Sequence, residues 1–159
     1  MRALRGRALA VLLAGALVFG ALGASFDQIT VSLSPEYFTL GKGLAPEGLR
    51  AAVAVMGFRA ALPLGAALAG VGLLREARGR PWRGFVVRTL VVMSVAVALG
   101  ALLMPRFDPF DVRRDSAGVL ADVACDRYLR VWGMHAGAYV GVAVALALSL
   151  VTDRGTNRR

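Results

Sequence analysis

At 159 residues, with a net charge of +9, 57% apolar side chains and a mean hydropathy of +0.63, the chain is too apolar for an ordinary soluble fold of its size. A basic excess of this kind suits nucleic acid when it is pooled on one surface. Here it is parcelled out between apolar runs, which argues for a membrane protein instead. The lone cysteine, Cys125, excludes an intramolecular disulfide, and with the lone histidine, His135, it leaves too few ligands for a protein-only zinc site or a two-histidine haem site.

Four apolar stretches, about 8–24, 51–74, 89–104 and 131–151, each approach the ~20 residues that cross a ~30 Å hydrocarbon slab. The expected fold is all-α, a four-transmembrane-helix bundle forming a single membrane domain over 1–159. Arg2, Arg5 and Arg7 precede the first stretch. Small residues stud it (Gly15, Ala16, Gly20, Gly23 and Ala24), which suits close helix packing. Residues 1–25 also resemble a secretory signal, with small residues around Ala21-Leu22-Gly23. The run is longer than a usual signal core, so it is read as a retained span.

The segment 25–50 follows. Ile29-Thr30-Val31-Ser32-Leu33-Ser34 alternates apolar and polar residues, the period of a half-buried strand, so a short strand is expected there. Ser34-Pro35-Glu36 reads as a helix start, with a Ser cap, Pro at the first helical position and an acid in the first turn. A short helix over 35–39 should end near Gly41 and Gly43, and Pro46-Glu47 should open the second span.

In that span Gly57, Ala61, Gly65 and Ala69 recur every four residues, as Gly133, Gly137, Gly141 and Ala145 do in the fourth. This glycine zipper pattern lets another helix backbone approach closely. The connection 75–88 carries Arg75, Arg78, Arg80, Arg83 and Arg88 against Glu76 alone. After the third span, Pro105 and Pro109 break the chain; an amphipathic helix over 117–130 is expected to run into the fourth, with Asp122, Asp126 and Arg130 on one face.

Arg-rich, acid-poor segments stay in the cytoplasm. The N-terminus, the loop 75–88 and the C-terminus (Arg154, Arg158, Arg159) are therefore read as cytoplasmic. The mixed-charge loops 25–50 and 105–130 are read as outer. All but one of the 19 basic residues are arginine, the exception being Lys42. Such a bias fits GC-rich coding and points to a bacterial inner membrane. The lipid bilayer is the expected partner, with a homo-oligomer or membrane-protein partner besides; nucleic acid and cofactors are not expected.

The second and fourth spans align at an offset of 76, and the first and third at 81, which places Arg7 over Arg88 and Phe26-Asp27 over Phe107-Asp108. This is the pattern of a duplicated two-span hairpin. The alignment superposes Arg59 and His135, each two places past a glycine of the zipper and so ~200° around the helix from it. Arg59 would lie ~13 Å deep from Arg50, where an arginine costs at least ~2.5 kcal/mol and calls for a partner or wet cavity. One reading is a polar pocket of Arg59, His135, Tyr139 and an acid of the first outer loop, Glu36 or Asp27, able to bind an anion or carry a proton. The other is that Arg59 snorkels to the surface, or pairs with Glu36 merely to hold the loop down.

No GxSxG, HExxH or Walker-type motif occurs, and the four apolar stretches contain no Asp or Glu, so an enzyme or proton pump is not expected. Asp27-Gln28-Ile29-Thr30 followed by Ser34-Pro35-Glu36-Tyr37-Phe38, with a late His135-x-x-x-Tyr139-x-Gly141, resembles small bacterial four-span membrane proteins that share a Ser-Pro-Glu-Tyr-Phe outer-loop motif. Leu40-Gly41-Lys42-Gly43 departs from the more basic, aromatic run expected after that motif. The resemblance implies the topology and a Glu36–His135 site, and no activity. The function read from the residues is a non-enzymatic packing or assembly component of the inner membrane; the alternative is a binder or transporter of a small anionic solute or ion.

Overall fold

The computed structural model describes residues 2–109, 111–115 and 117–155, with side chains described for residues 6–149 of these. The elements in order are α1 (Arg2–Leu33), α2 (Pro35–Thr39), α3 (Leu49–Glu76), α4 (Trp82–Phe107), α5 (Val112–Asp115) and α6 (Asp122–Gly155). Four of them are long and apolar enough to span a membrane, over Gly6–Leu33, Leu49–Glu76, Trp82–Phe107 and Asp122–Ser149. The protein is thus a multi-pass membrane protein by length and composition. Its chain divides after Trp82 into two compact units.

In the first unit α1 and α3 run antiparallel. Gly15 faces Gly65 and Ala69 at one end of the contact, and Gly23 faces Gly57 and Ala61 at the other. Leu9, Leu13, Leu17, Val18 and Leu22 point outward. That outward apolar coat is expected where lipid replaces water as the solvent, because helices then gain by close packing and not by hiding leucine.

The expected strand at 29–34 is absent; among the described residues there are no strands at all. Helix α1 runs on to Leu33 instead. The buried residues there are Asp27, Thr30 and Val31 of the helix and Ser34 just past its end, at spacings of three, one and three, while Ile29 is 60% exposed and Leu33 also faces out. The alternation misled because Thr30 and Ser34 turn inward with Val31, while Ser32 stays exposed, so the buried set does not alternate. The hydroxyls do not compete with the helix but back-bond within it: Thr30 Oγ1 donates to the Asp27 carbonyl at 3.2 Å and Ser32 Oγ to the Gln28 carbonyl at 2.8 Å.

Helix α2 has the expected bounds. The Ser34 hydroxyl accepts from the Tyr37 N–H at 3.4 Å, and Pro35 occupies the first turn. Tyr37 and Phe38 are buried, their rings edge to face at 5.1 Å between centroids, with the Lys42 ammonium 5.3 Å from the Tyr37 ring. Helix α3 opens after Gly48, whose φ of +67° is a left-handed value that suits glycine, and runs unbroken through Pro63.

In the second unit α4 and α6 are likewise antiparallel, with Gly100 against Gly133 and Gly137 against Ala96. Helix α6 continues without a break into the fourth apolar stretch, as expected, but starts at Asp122 and not near 117, because residues 117–119 form a turn with Gly118 at φ +87°.

Candidate functional site

The two helix pairs are built on glycine. In α3, a Cβ added to Gly57 would lie 2.6 Å from both the Gly23 carbonyl oxygen and Asp27 Oδ2. One at Gly65 would strike the Gly15 carbonyl, and one at Gly23 would come within 2.6 Å of the Ala61 Cβ. In α6, a Cβ at Gly133 would strike the Gly100 carbonyl and one at Gly137 the Ala96 carbonyl, while one at Gly141 would lie 2.7 Å from the Met93 Cα. The small residues picked out at four-residue spacing therefore sit against α1 and α4 within their own units. These are backbone-to-backbone contacts that a side chain would wedge apart.

Of the polar candidates, Asp27, Glu36 and Arg59 belong to the first unit, His135 and Tyr139 to the second. Because α1 extends to Leu33, Asp27 lies inside a span-capable helix, three residues past its acid-free apolar stretch. It is 5% exposed, with its carboxylate over the backbone of Gly57. Glu36 is half-buried and accepts from the Ser34 hydroxyl at 2.9 Å, so it helps close the turn into α2. Arg59 is exposed on α3 and makes no hydrogen bond or ion pair among the described residues.

His135 is half-buried. Its Nδ1 lies 2.8 Å from the Val131 carbonyl one turn back, and since a carbonyl only accepts, Nδ1 carries the proton in that bond. Tyr139 is exposed on the same helix.

Other polar contacts had no signal in the sequence beyond residue type. At the loop end of the first pair, Gln28 Nε2 donates to the Arg50 carbonyl at 2.9 Å, and Arg50 Nη2 donates to Ser32 Oγ at 3.1 Å. At the opposite end Arg7 pairs with Glu76 at 2.6 Å, and Trp82 lays its ring against Gly72 while its Nε1 donates to Glu76 at 3.4 Å. The second pair has its counterpart: Arg88 donates to Ser149 Oγ at 3.0 Å, and that hydroxyl donates to the Ala145 carbonyl at 2.9 Å.

Between α4 and α6, Asp108 accepts from the N–H groups of Val112 at 2.9 Å and Arg113 at 3.0 Å and so caps α5. Arg113 in turn donates to the Pro105 carbonyl at 2.7 Å and to Asp126 at 2.5 Å, which fastens the end of α4 to the start of α6. The Asp126 carboxylate raises the Arg113 pKa above its ordinary value. Among the described residues no group of His, Cys, Asp and Glu is placed to hold a metal ion.

Comparison with protein-family models, with curated proteins and with solved structures gives no match. What the chain does must be argued from its own residues.

Proposed function

We propose that this protein is a non-enzymatic packing or assembly component of a bacterial inner membrane. The observation that supports this most is the construction of both units. Each is a preformed antiparallel hairpin held by glycine on backbone, and its outward faces of Leu, Val and Ile are left for neighbours in the bilayer. The glycine zippers serve the hairpins themselves, so association with a second copy or another membrane protein falls to those outward faces. The alternating arginines support a topology with both termini and residues 75–88 in the cytoplasm. The likeness of 34–38 to the Ser-Pro-Glu-Tyr-Phe motif of small four-span bacterial proteins agrees with this topology.

A second reading, a binder or transporter of a small anionic solute, is favoured by Arg59, an exposed cation on a span-capable helix with no counter-charge among the described residues. One experiment separates the two. The full chain is purified in mild detergent, its assembly mass is measured by light scattering, and anion uptake is measured in liposomes. Assembly predicts a defined oligomer or stoichiometric partner, no uptake, and an unchanged mass for Arg59→Gln. Uptake that Arg59→Gln abolishes establishes the second reading. A partnerless monomer rules out the first.

A further inference from the structure

Beside the loop end of the first helix pair lies an open cleft of about 550 Å³, lined by Val31, Ser32, Pro35, Pro46, Leu49 and Arg50 among others. That volume lies within the range of small-ligand sites. Val31, Pro35, Pro46 and Leu49 make its walls largely apolar. Its polar wall is Ser32 and Arg50.

Arg50 is held in place by neutral groups alone. Nη2 donates to Ser32 Oγ at 3.1 Å and Nη1 reaches Gln28 Oε1 at 3.5 Å. A guanidinium has five N–H donors, so three are left over. No carboxylate pairs with Arg50 among the described residues, although Asp27, Glu36 and Glu47 belong to the same stretch of chain. The cleft therefore presents a full positive charge, oriented by two side chains, next to apolar walls.

Its position selects the ligand. Val31 and Ser32 are in the last turn of α1 and Leu49 and Arg50 in the first turn of α3. Both are ends of span-capable helices, and such ends stand where hydrocarbon gives way to headgroups. A molecule at that depth with an anionic oxygen cluster joined to an apolar body is a phospholipid. Arginine's planar fork matches phosphate oxygens in pairs.

We infer that this cleft is a binding site for one phospholipid, with the headgroup phosphate on Arg50 and the first acyl methylenes against Val31 and Leu49. The inference does not rest on the assembly role, and either can fail alone.

Native mass spectrometry of the full chain released from detergent tests it, with dioleoylphosphatidylglycerol titrated against dioleoylglycerol, which has the same chains and no phosphate. The wild-type protein retains one phosphatidylglycerol and no dioleoylglycerol. Arg50→Gln weakens retention by about tenfold or more, as expected for loss of a charge-assisted contact. Arg50→Lys, which keeps the charge without the fork, and Ser32→Ala, which frees the guanidinium from its anchor, each weaken it by roughly threefold. Arg114→Gln, on the exposed α5, leaves it unchanged.

Helix content by circular dichroism shows whether each variant is folded; if Arg50→Gln is not, Arg50→Lys and Ser32→Ala decide. The proposal is overturned if folded Arg50 variants retain the lipid as the wild type does, or if dioleoylglycerol is retained equally. Displacement of the lipid by millimolar inorganic phosphate overturns it too, by making the site one for a free anion.

Discussion

The two helix pairs solve the same packing problem and differ at one end. In both, glycine carbonyls and Cα atoms of one helix touch the backbone of the other, at 15/65 and 23/57 in the first unit and at 100/133 and 96/137 in the second. In both, an arginine near the start of the first helix reaches a residue near the end of the second: Arg7 to Glu76, Arg88 to Ser149. Arg7 and Arg88 are the residues that the sequence alignment superposes.

The same alignment sets Phe26-Asp27 over Phe107-Asp108, and there the likeness stops. In the first pair α1 runs past Asp27 and buries its carboxylate against Gly57. In the second, Pro109 follows Asp108 and disfavours a further helical residue. The chain turns at Asp108 with φ +34°, and the carboxylate caps α5 at the surface. One dipeptide thus yields a buried carboxyl group in one unit and a helix cap in the other, where Pro109 follows it.

That comparison can be broken, first of all, at the glycines. Gly133→Leu and Gly23→Leu each drive a side chain into a facing backbone and should destabilise their own hairpin by about 3 kcal/mol, the upper end of the usual range for overpacking. Denaturant titration in micelles measures this. Equal losses would show that the two contacts bear equal weight, and a negligible loss at either would mean that the pair is held by something other than backbone contact. Because Gly137 meets Ala96 inside its unit, a bulky residue there reports on the hairpin and not on association.

The aspartates sharpen the comparison next. Asp27→Ala removes a buried polar group and its contacts and should cost roughly 1–3 kcal/mol. Asp108→Ala removes a cap and should cost about 1 kcal/mol, seen as faster hydrogen exchange at Val112 and Arg113. If the order is reversed, burial of Asp27 contributes nothing to the fold. The smallest effect belongs to the Arg7–Glu76 pair. Both side chains are largely open to solvent, so Glu76→Gln should change stability only slightly, and less still in high salt.

How much of this was legible depended on which signal the bilayer preserves. Span number survived because hydropathy summed over some twenty residues is insensitive to local detail, although every helix overruns its apolar core. The bounds of α2 followed from Ser34-Pro35-Glu36, where cap, ring and charge all act within one turn. The spacing of Gly57, Ala61 and Gly65 marked a packing face, but periodicity cannot name a partner, and that α1 is the partner came only with the fold.

The reading of 29–34 failed for a physical reason. Alternation of apolar and polar residues signals a strand when water takes one face. Here Ile29 and Leu33 face outward while Thr30 and Ser34 turn inward, so the buried set has helical spacing and mixed polarity. The Arg50–Ser32–Gln28 contacts joined residues up to 22 positions apart and had no local signature. Of the polar candidates, residue type singled out Arg59 and His135. It could not foresee that Asp27 would be enclosed by α1 and α3.

The first helix has one further consequence. Its span-capable part, Gly6–Leu33, is 28 residues long, or ~42 Å at 1.5 Å per residue, against a hydrocarbon layer of ~30 Å, and the residues past its apolar stretch include Asp27, Gln28, Thr30 and Ser32. A rod that much longer than the film it crosses must lean, or let its tip emerge. Thinner bilayers would push Thr30 and Ser34 out among the headgroups, and thicker ones would draw them toward the acyl chains. The depth at which this polar tip sits should therefore follow the acyl-chain length of the lipids around it.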